Sequence, residues 1–163
     1  MANKIYQQEE ASKTFVDSGG DVVFTLASLA NGAGRISAQL DLGAAPRADR
    51  YFVMVEIKTA SALTLSVEAA RLYVARGDGT DVDGPVGTSD AAISDETRFS
   101  SNLRYVGSVI ADQAAVGPFN HSFVITHQSR YMSFGIWNPS GQAFSSSGGD
   151  CFVKVTPIPS EIQ

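Results

Sequence analysis

Apolar and polar residues alternate without a break through Arg35-Ile36-Ser37-Ala38-Gln39-Leu40-Asp41-Leu42. A period of two is the mark of a strand with one buried face. Tyr51, Val53, Val55 and Ile57 repeat the pattern, which predicts a second strand with these residues turned inward. Residues 21–29 form a β-prone run around Val22, Val23, Phe24 and Thr25. The Asn31-Gly32 pair after it predicts a short-loop hairpin into residues 35–42. Leu63, Leu65 and Val67 alternate in one phase, Leu72 and Val74 in the other. A shift of one residue near Ala69-Ala70 marks a bulge or a bend between two sheets. Glu68-Ala69-Ala70-Arg71-Leu72 holds good helix formers, but the flanking alternation favours a strand. Further strands are expected over residues 102–111, 118–127, 130–137 and 151–156. Turns separate them at Gly117-Pro118 and Asn138-Pro139-Ser140-Gly141, and Ser145-Ser146-Ser147-Gly148-Gly149 reads as a flexible loop.

Together these elements predict an all-β chain: a single-domain β-sandwich of jelly-roll type over residues 13–156. Residues 1–12 are polar and weakly patterned and read as an N-terminal arm. Residues 157–163 carry Pro157 and Pro159 and are expected to leave the sheet as a C-terminal arm, because proline cannot continue a ladder. Residues 76–98 read as a long projecting loop, either exposed or clasping a neighbour.

Composition sharpens the picture. Only 18% of the 163 residues are charged, so uncharged polar residues and glycine must build much of the surface. Lys plus Arg is 12 against 17 for Asp plus Glu, a net charge of −5, which leaves no basic stripe for nucleic acid phosphates. Six of the 17 acids (Asp78, Asp81, Asp83, Asp90, Asp95 and Glu96) fall within residues 76–98. The first residues lack the apolar stretch of a signal peptide, and no apolar run has the length of a membrane span. Synthesis in a host cytoplasm, with no membrane partner, is the expectation. The single Cys151 excludes an intramolecular disulfide. Its place before Phe152-Val153-Lys154-Val155 predicts a small buried hydrophobe rather than a reactive thiol.

Candidate chemistry is sparse. Asp78, Asp81 and Asp83 offer clustered oxygens and are candidates for calcium, although an EF-hand alignment fails at its first position, where Gly79 has no ligand. His121 and His127 share a strand face but sit roughly 20 Å apart, too far for one metal. No nucleophile elbow, phosphate loop or metal-ligand spacing occurs, so no catalytic residue and no cofactor are assigned. Residues 131–137 are more informative. Met132, Phe134 and Ile136 make one apolar face, while Tyr131, Ser133, Gly135 and Trp137 make a shallow shelf on the other. A loop of the same chain could cover the shelf, a neighbouring subunit could seat on Tyr131 and Trp137, or a sugar could stack there.

Several segments carry a family resemblance. They are Ser28-Leu29-Ala30-Asn31-Gly32-Ala33-Gly34-Arg35, Gly87-Thr88-Ser89-Asp90-Ala91-Ala92-Ile93, Leu103-Arg104-Tyr105-Val106-Gly107-Ser108-Val109, Ile136-Trp137-Asn138-Pro139-Ser140-Gly141 and Thr156-Pro157-Ile158-Pro159-Ser160-Glu161-Ile162. Over residues 12–163 the chain resembles small virion structural proteins of tailed double-stranded DNA bacteriophages. The resemblance implies a non-enzymatic particle component, first of all a capsid decoration (cement) protein on the outer head surface. Its partners would be the major capsid protein and like subunits, in a homo-oligomer, trimer or dimer. A tail or head-fibre component is the near alternative. The resemblance names no contact residues. Tyr131, Trp137, Pro157, Ile158, Pro159 and Ile162 are the contact candidates from the pattern itself. A carbohydrate- or receptor-binding module, using Trp137, Tyr131 and a calcium held by Asp81 and Asp83, is the competing class.

Overall fold

The computed structural model describes residues 11–45, 47–83 and 87–158. Its strands are β1 (Lys13–Val16), β2 (Val22–Val23), β3 (Ala33–Ile36), β4 (Leu40–Asp41), β5 (Arg50–Ile57), β6 (Glu68–Gly77), β7 (Ala91–Ile93), β8 (Arg104–Ile110), β9 (Phe119–Thr126), β10 (Tyr131–Asn138) and β11 (Phe152–Ile158), and a short helix α1 (Glu96–Asn102) precedes β8. Two sheets form. The first is five-stranded, in the order β2-β1-β11-β5-β9; the second runs β7-β3-β10-β6-β8, with β4 also on β10. Strands β1, β5, β9 and β11 interleave in sequence with β3, β6, β8 and β10 of the opposite sheet, and these eight pair with one another antiparallel, while the short β2 joins β1 in parallel. This is the double Greek key of a jelly roll.

The core follows from the alternation. Tyr51, Val53, Val55 and Ile57 are all 0% exposed, with Val153 and Val155 of β11 beside them. Leu72, Val74, Met132, Phe134 and Ile136 of the second sheet face them. Phe15 and Phe134 meet edge to face at 5.1 Å across the gap, the geometry that aromatic quadrupoles favour. The phase shift in β6 is a register irregularity between Glu68 and Ala70, followed by another between Leu72 and Tyr73.

Several expected elements are built differently. Residues 35–42 make two short strands rather than one. After Ile36 the Ala38 amide turns to the Val23 carbonyl and the Gln39 amide to Thr88, so the ladder on β10 breaks until Leu40. The expected hairpin is a crossover, because β2 and β3 lie in different sheets. Phe24, Leu26 and Leu29 are buried as core filling between the sheets instead of forming a ladder. Leu63 is buried but Leu65 is 62% exposed, and Ser66 takes φ 69°, so residues 63–67 are a turn-containing connection. At the other end of the chain, β11 runs through Pro157 to Ile158, opposite Tyr51 and Arg50. Among the described residues β1 pairs with β11 only as far as Val155. Beyond that point no strand among the described residues pairs with this side of β11, and a proline without an N–H is tolerated there.

Residues 76–98 are not a single projecting loop. Arg76 and Gly77 belong to β6, β7 pairs with β3, and Glu96 begins α1. The described parts fold back as a cap over the outer face of the second sheet. Val82, Ile93 and Leu103 pack there on Ile36, Tyr73, Ala75 and Trp137 as a second apolar cluster. Its acids hold it in place. Asp90 receives hydrogen bonds from the Arg35 guanidinium and the Thr25 amide. Burial alone would raise the Asp90 pKa, but those bonds hold it below the usual carboxylate value. Asp95 accepts from the Thr97 amide at 2.9 Å and caps α1. Glu96 accepts from Arg71 at 2.6 Å and from the Tyr73 hydroxyl at 3.0 Å.

Candidate functional site

The outer face of the first sheet has no cover among the described residues, and its apolar side chains come from the outward phase of the strands. On β5 these are Phe52 and Met54; on β9 the outward residues are Asn120, Ser122, Val124 and Thr126; on β11 they are Phe152, Lys154, Thr156 and Ile158. Phe52 sits between Thr156 on one side and Val124 on the other. Phe52 is 41% and Val124 63% exposed. Ser12 reaches the same face and shares a 2.8 Å hydrogen bond with Thr156. The centre of the face is thus partly apolar, with Lys154 beside Met54 as its one central charge and Arg50 and Glu56 at the opposite ends of β5.

The signal for this face is in the sequence. Tyr51-Phe52-Val53-Met54-Val55 and Phe123-Val124-Ile125 are uninterrupted apolar runs of five and three residues inside strands. With Tyr51, Val53 and Val55 inward, Phe52 and Met54 must point away from the core, as must Val124 between Phe123 and Ile125.

A cleft of about 680 Å³ opens at one end of the sandwich, lined by Ser28, Lys58, Thr59, Val116, Pro118, Phe144 and Asp150, among others. Lys58 and Asp150 are 2.8 Å apart, and the Ser145 hydroxyl donates to the same carboxylate at 2.6 Å. The hydrogen bond with Lys58 holds Asp150 below its usual value, and Lys58 is raised in return. Ser145 therefore hydrogen-bonds to a paired carboxylate, and neither histidine is among the lining residues.

The residues singled out from the sequence fall in different places. Trp137 is only 8% exposed beneath the cap, so it is a core residue and not a contact anchor or a sugar platform. Tyr131 is half-buried: Arg130 stacks on its ring at 5.1 Å, and the turn at Gly79 comes so close that an added Cβ would lie 2.9 Å from the ring. Pro157 is buried within β11, which removes it as a surface contact, whereas Ile158 is half-buried on the open outer face. Pro159 and Ile162 lie outside the described residues. Asp78, Asp81 and Asp83 are exposed. Asp78 accepts from the amides of Thr80 and Asp81, both at 2.8 Å, so its carboxylate closes its own turn. Among the described residues no group of three His, Cys, Asp or Glu side chains is placed to hold a metal ion.

Cys151 is buried as expected. Its thiol donates to the Lys58 carbonyl at 3.3 Å, and burial pushes its pKa up to about 11. His127 is also buried and donates from Nε2 to the Tyr131 carbonyl at 2.9 Å. Among the described residues no helix is long and apolar enough to cross a membrane.

No protein-family model and no curated protein matches the chain. Among solved structures the chain is similar to the EclA C-terminal domain, a sugar-binding protein, at 13% identity and a TM-score of 0.33, over 94% of this chain and 80% of that one. At that score the sugar binding stays a property of the neighbour.

Proposed function

We propose that the chain is a non-enzymatic structural subunit of a tailed-phage virion, of the capsid decoration type. It seats on the outer head surface against the major capsid protein and stabilises the shell through subunit contacts. The observation that carries this reading is the open face of the first sheet, where Phe52 and Val124 stand exposed side by side. Apolar area of this kind gains roughly 25 cal/mol per Å² when a partner removes it from water. The jelly roll suits the role as a rigid platform, although many functions share that fold.

The test is direct. Purified chain added to undecorated heads should bind and raise their melting temperature by mass action on the folded shell. Heads that neither bind the chain nor gain stability would end the decoration reading. Imaging of labelled intact particles separates the near alternative, since label on the tail would make the chain a tail or fibre component. In the end cleft a carbohydrate would meet Lys58, Asp150 and Ser145 already hydrogen-bonded to one another.

A further inference from the structure

We infer that β9 is a pairing edge for a second copy of this chain, joined antiparallel about a two-fold axis so that the five-stranded sheets of the two copies run on into one. The inference deepens the structural reading above, on which it rests, by naming the surface through which like subunits meet.

The argument comes from comparing the sheet edges. An edge strand exposes unpaired backbone groups, and natural proteins blunt such edges with short strands, charges, prolines or bulges. At the far side of the first sheet, β2 has only 2 residues. In the second sheet β7 has 3 residues, and β8 carries Arg104 and two register irregularities. Strand β9 has none of these devices. It is 8 residues long, Phe-Asn-His-Ser-Phe-Val-Ile-Thr, with no Lys, Arg, Asp, Glu or Pro. Its pairing with β5 runs from Arg50↔Thr126 to Ile57↔Phe119 without a bulge. Arg104 donates to the Thr126 carbonyl at 2.9 Å, which covers the end of the strand, and among the described residues no further strand pairs with its outer side.

Closed two-fold symmetry and an edge strand without charges favour a second copy in the antiparallel sense. Arg50 and Glu56 lie on the outer face one strand in from the edge, opposite the two ends of β9. A two-fold pairing brings the Arg50 end of one copy toward the Glu56 end of the other, about three strand spacings away, roughly 14 Å. The outward row of β9 is Asn120, Ser122, Val124 and Thr126, so no like charges oppose each other at the joint. Pairing also merges the two exposed Phe52–Val124 patches into one continuous face.

The experiment uses the full chain. Sedimentation equilibrium from micromolar to millimolar protein is compared with two variants of equal added charge. Ser122→Lys/Val124→Lys places lysines on the edge strand at exposed positions. Thr64→Lys/Leu65→Lys places them on the exposed connection before β6. The wild type and the control are expected to reach twice the chain mass. The edge variant should stay at one chain mass with an unchanged far-ultraviolet spectrum. Amide exchange in residues 119–126 of the wild type should slow as concentration rises, a readout that needs no variant. A wild type that stays monomeric throughout overturns the inference, as does an edge variant that dimerises normally. Binding of the same proteins to undecorated heads is scored separately. A monomeric wild type that still binds heads sinks the edge pairing alone, and a dimer that ignores heads sinks the decoration role alone.

Discussion

Asn138 is fully buried at the end of β10, and its side chain uses every hydrogen-bonding position it has. Nδ2 donates to the carbonyls of Leu29 at 2.9 Å and Gln142 at 2.8 Å, while Oδ1 accepts from the Ser140 amide at 3.0 Å and its hydroxyl at 2.7 Å. One amide thus ties the 24–32 crossover to the 139–142 turn. Asn138→Ala would strand buried partners, each costing about 1–3 kcal/mol. We expect a loss of roughly 3 kcal/mol, read as a lower urea midpoint with an unchanged slope. His127 supplies the pH dependence. Burial lowers its pKa from the ordinary 6.5, with help from Arg104, Arg76 and Arg47 and against the pull of the Tyr131 carbonyl. The unfolded chain therefore takes up this proton first as pH falls. Stability is full above 6.5, declines as pH drops below it, and levels off once the folded histidine also protonates. The melting temperature should fall between about pH 7 and pH 5, above the carboxylate range. His127→Gln should flatten that part of the curve, and a slope that survives the substitution would place its origin elsewhere. The sequence shows that His127 ends an apolar strand, but the carbonyl that receives its proton comes from the folded chain.

At the scale of elements, the cap over the second sheet is a strong test of how α1 is held. The helix has 7 residues, too few to persist without tertiary support. Asp95 caps it, and Glu96 fastens it to Arg71 and Tyr73 on β6. Burial first, then Glu96, keeps the Tyr73 phenol protonated well above its usual range. Trp137 lies under this cap and is the chain's one tryptophan, so its emission reports on closure. Glu96→Ala should cost about 1 kcal/mol, since the ion pair is partly exposed, and should shift the emission to the red. Unchanged emission would mean that Leu103, Ile93 and Val82 hold the cap without the carboxylate. Element identity was legible wherever the period of two ran long, as in β5, β9 and β10. It failed at residues 63–67 and 21–29, where apolar residues at strand spacing fill a turn or a crossover. Nor could it show that the acid-rich segment folds inward. Asp90 and Glu96 read as surface charges until Arg35 and Arg71, distant in sequence, are brought beside them.

At the scale of the whole molecule, the decisive contrast is between two adjacent residues. Tyr51 and Phe52 follow each other on β5, yet one faces the core and the other faces the space a partner would fill. Tyr51 is 0% exposed, and its hydroxyl donates to the Ala48 carbonyl at 2.7 Å. Tyr51→Ala empties a large buried volume and should cost about 3–5 kcal/mol, enough to unfold a marginal domain. Phe52 is 41% exposed. Phe52→Ser should leave the melting temperature of the isolated chain nearly unchanged, a loss of ~1 kcal/mol or less. Bound to undecorated heads, the same variant should lose affinity by roughly tenfold or more, since 1.4 kcal/mol is a factor of ten and a buried aromatic anchor contributes more than that. The two readouts are independent. If Phe52→Ser destabilises the free chain as much as Tyr51→Ala does, the outer face belongs to the fold and is not an open surface. If stability holds and head binding is also unchanged, the face is free but is not where the shell is met. Only preserved stability with weakened binding matches a domain whose partly apolar face is kept for a neighbour.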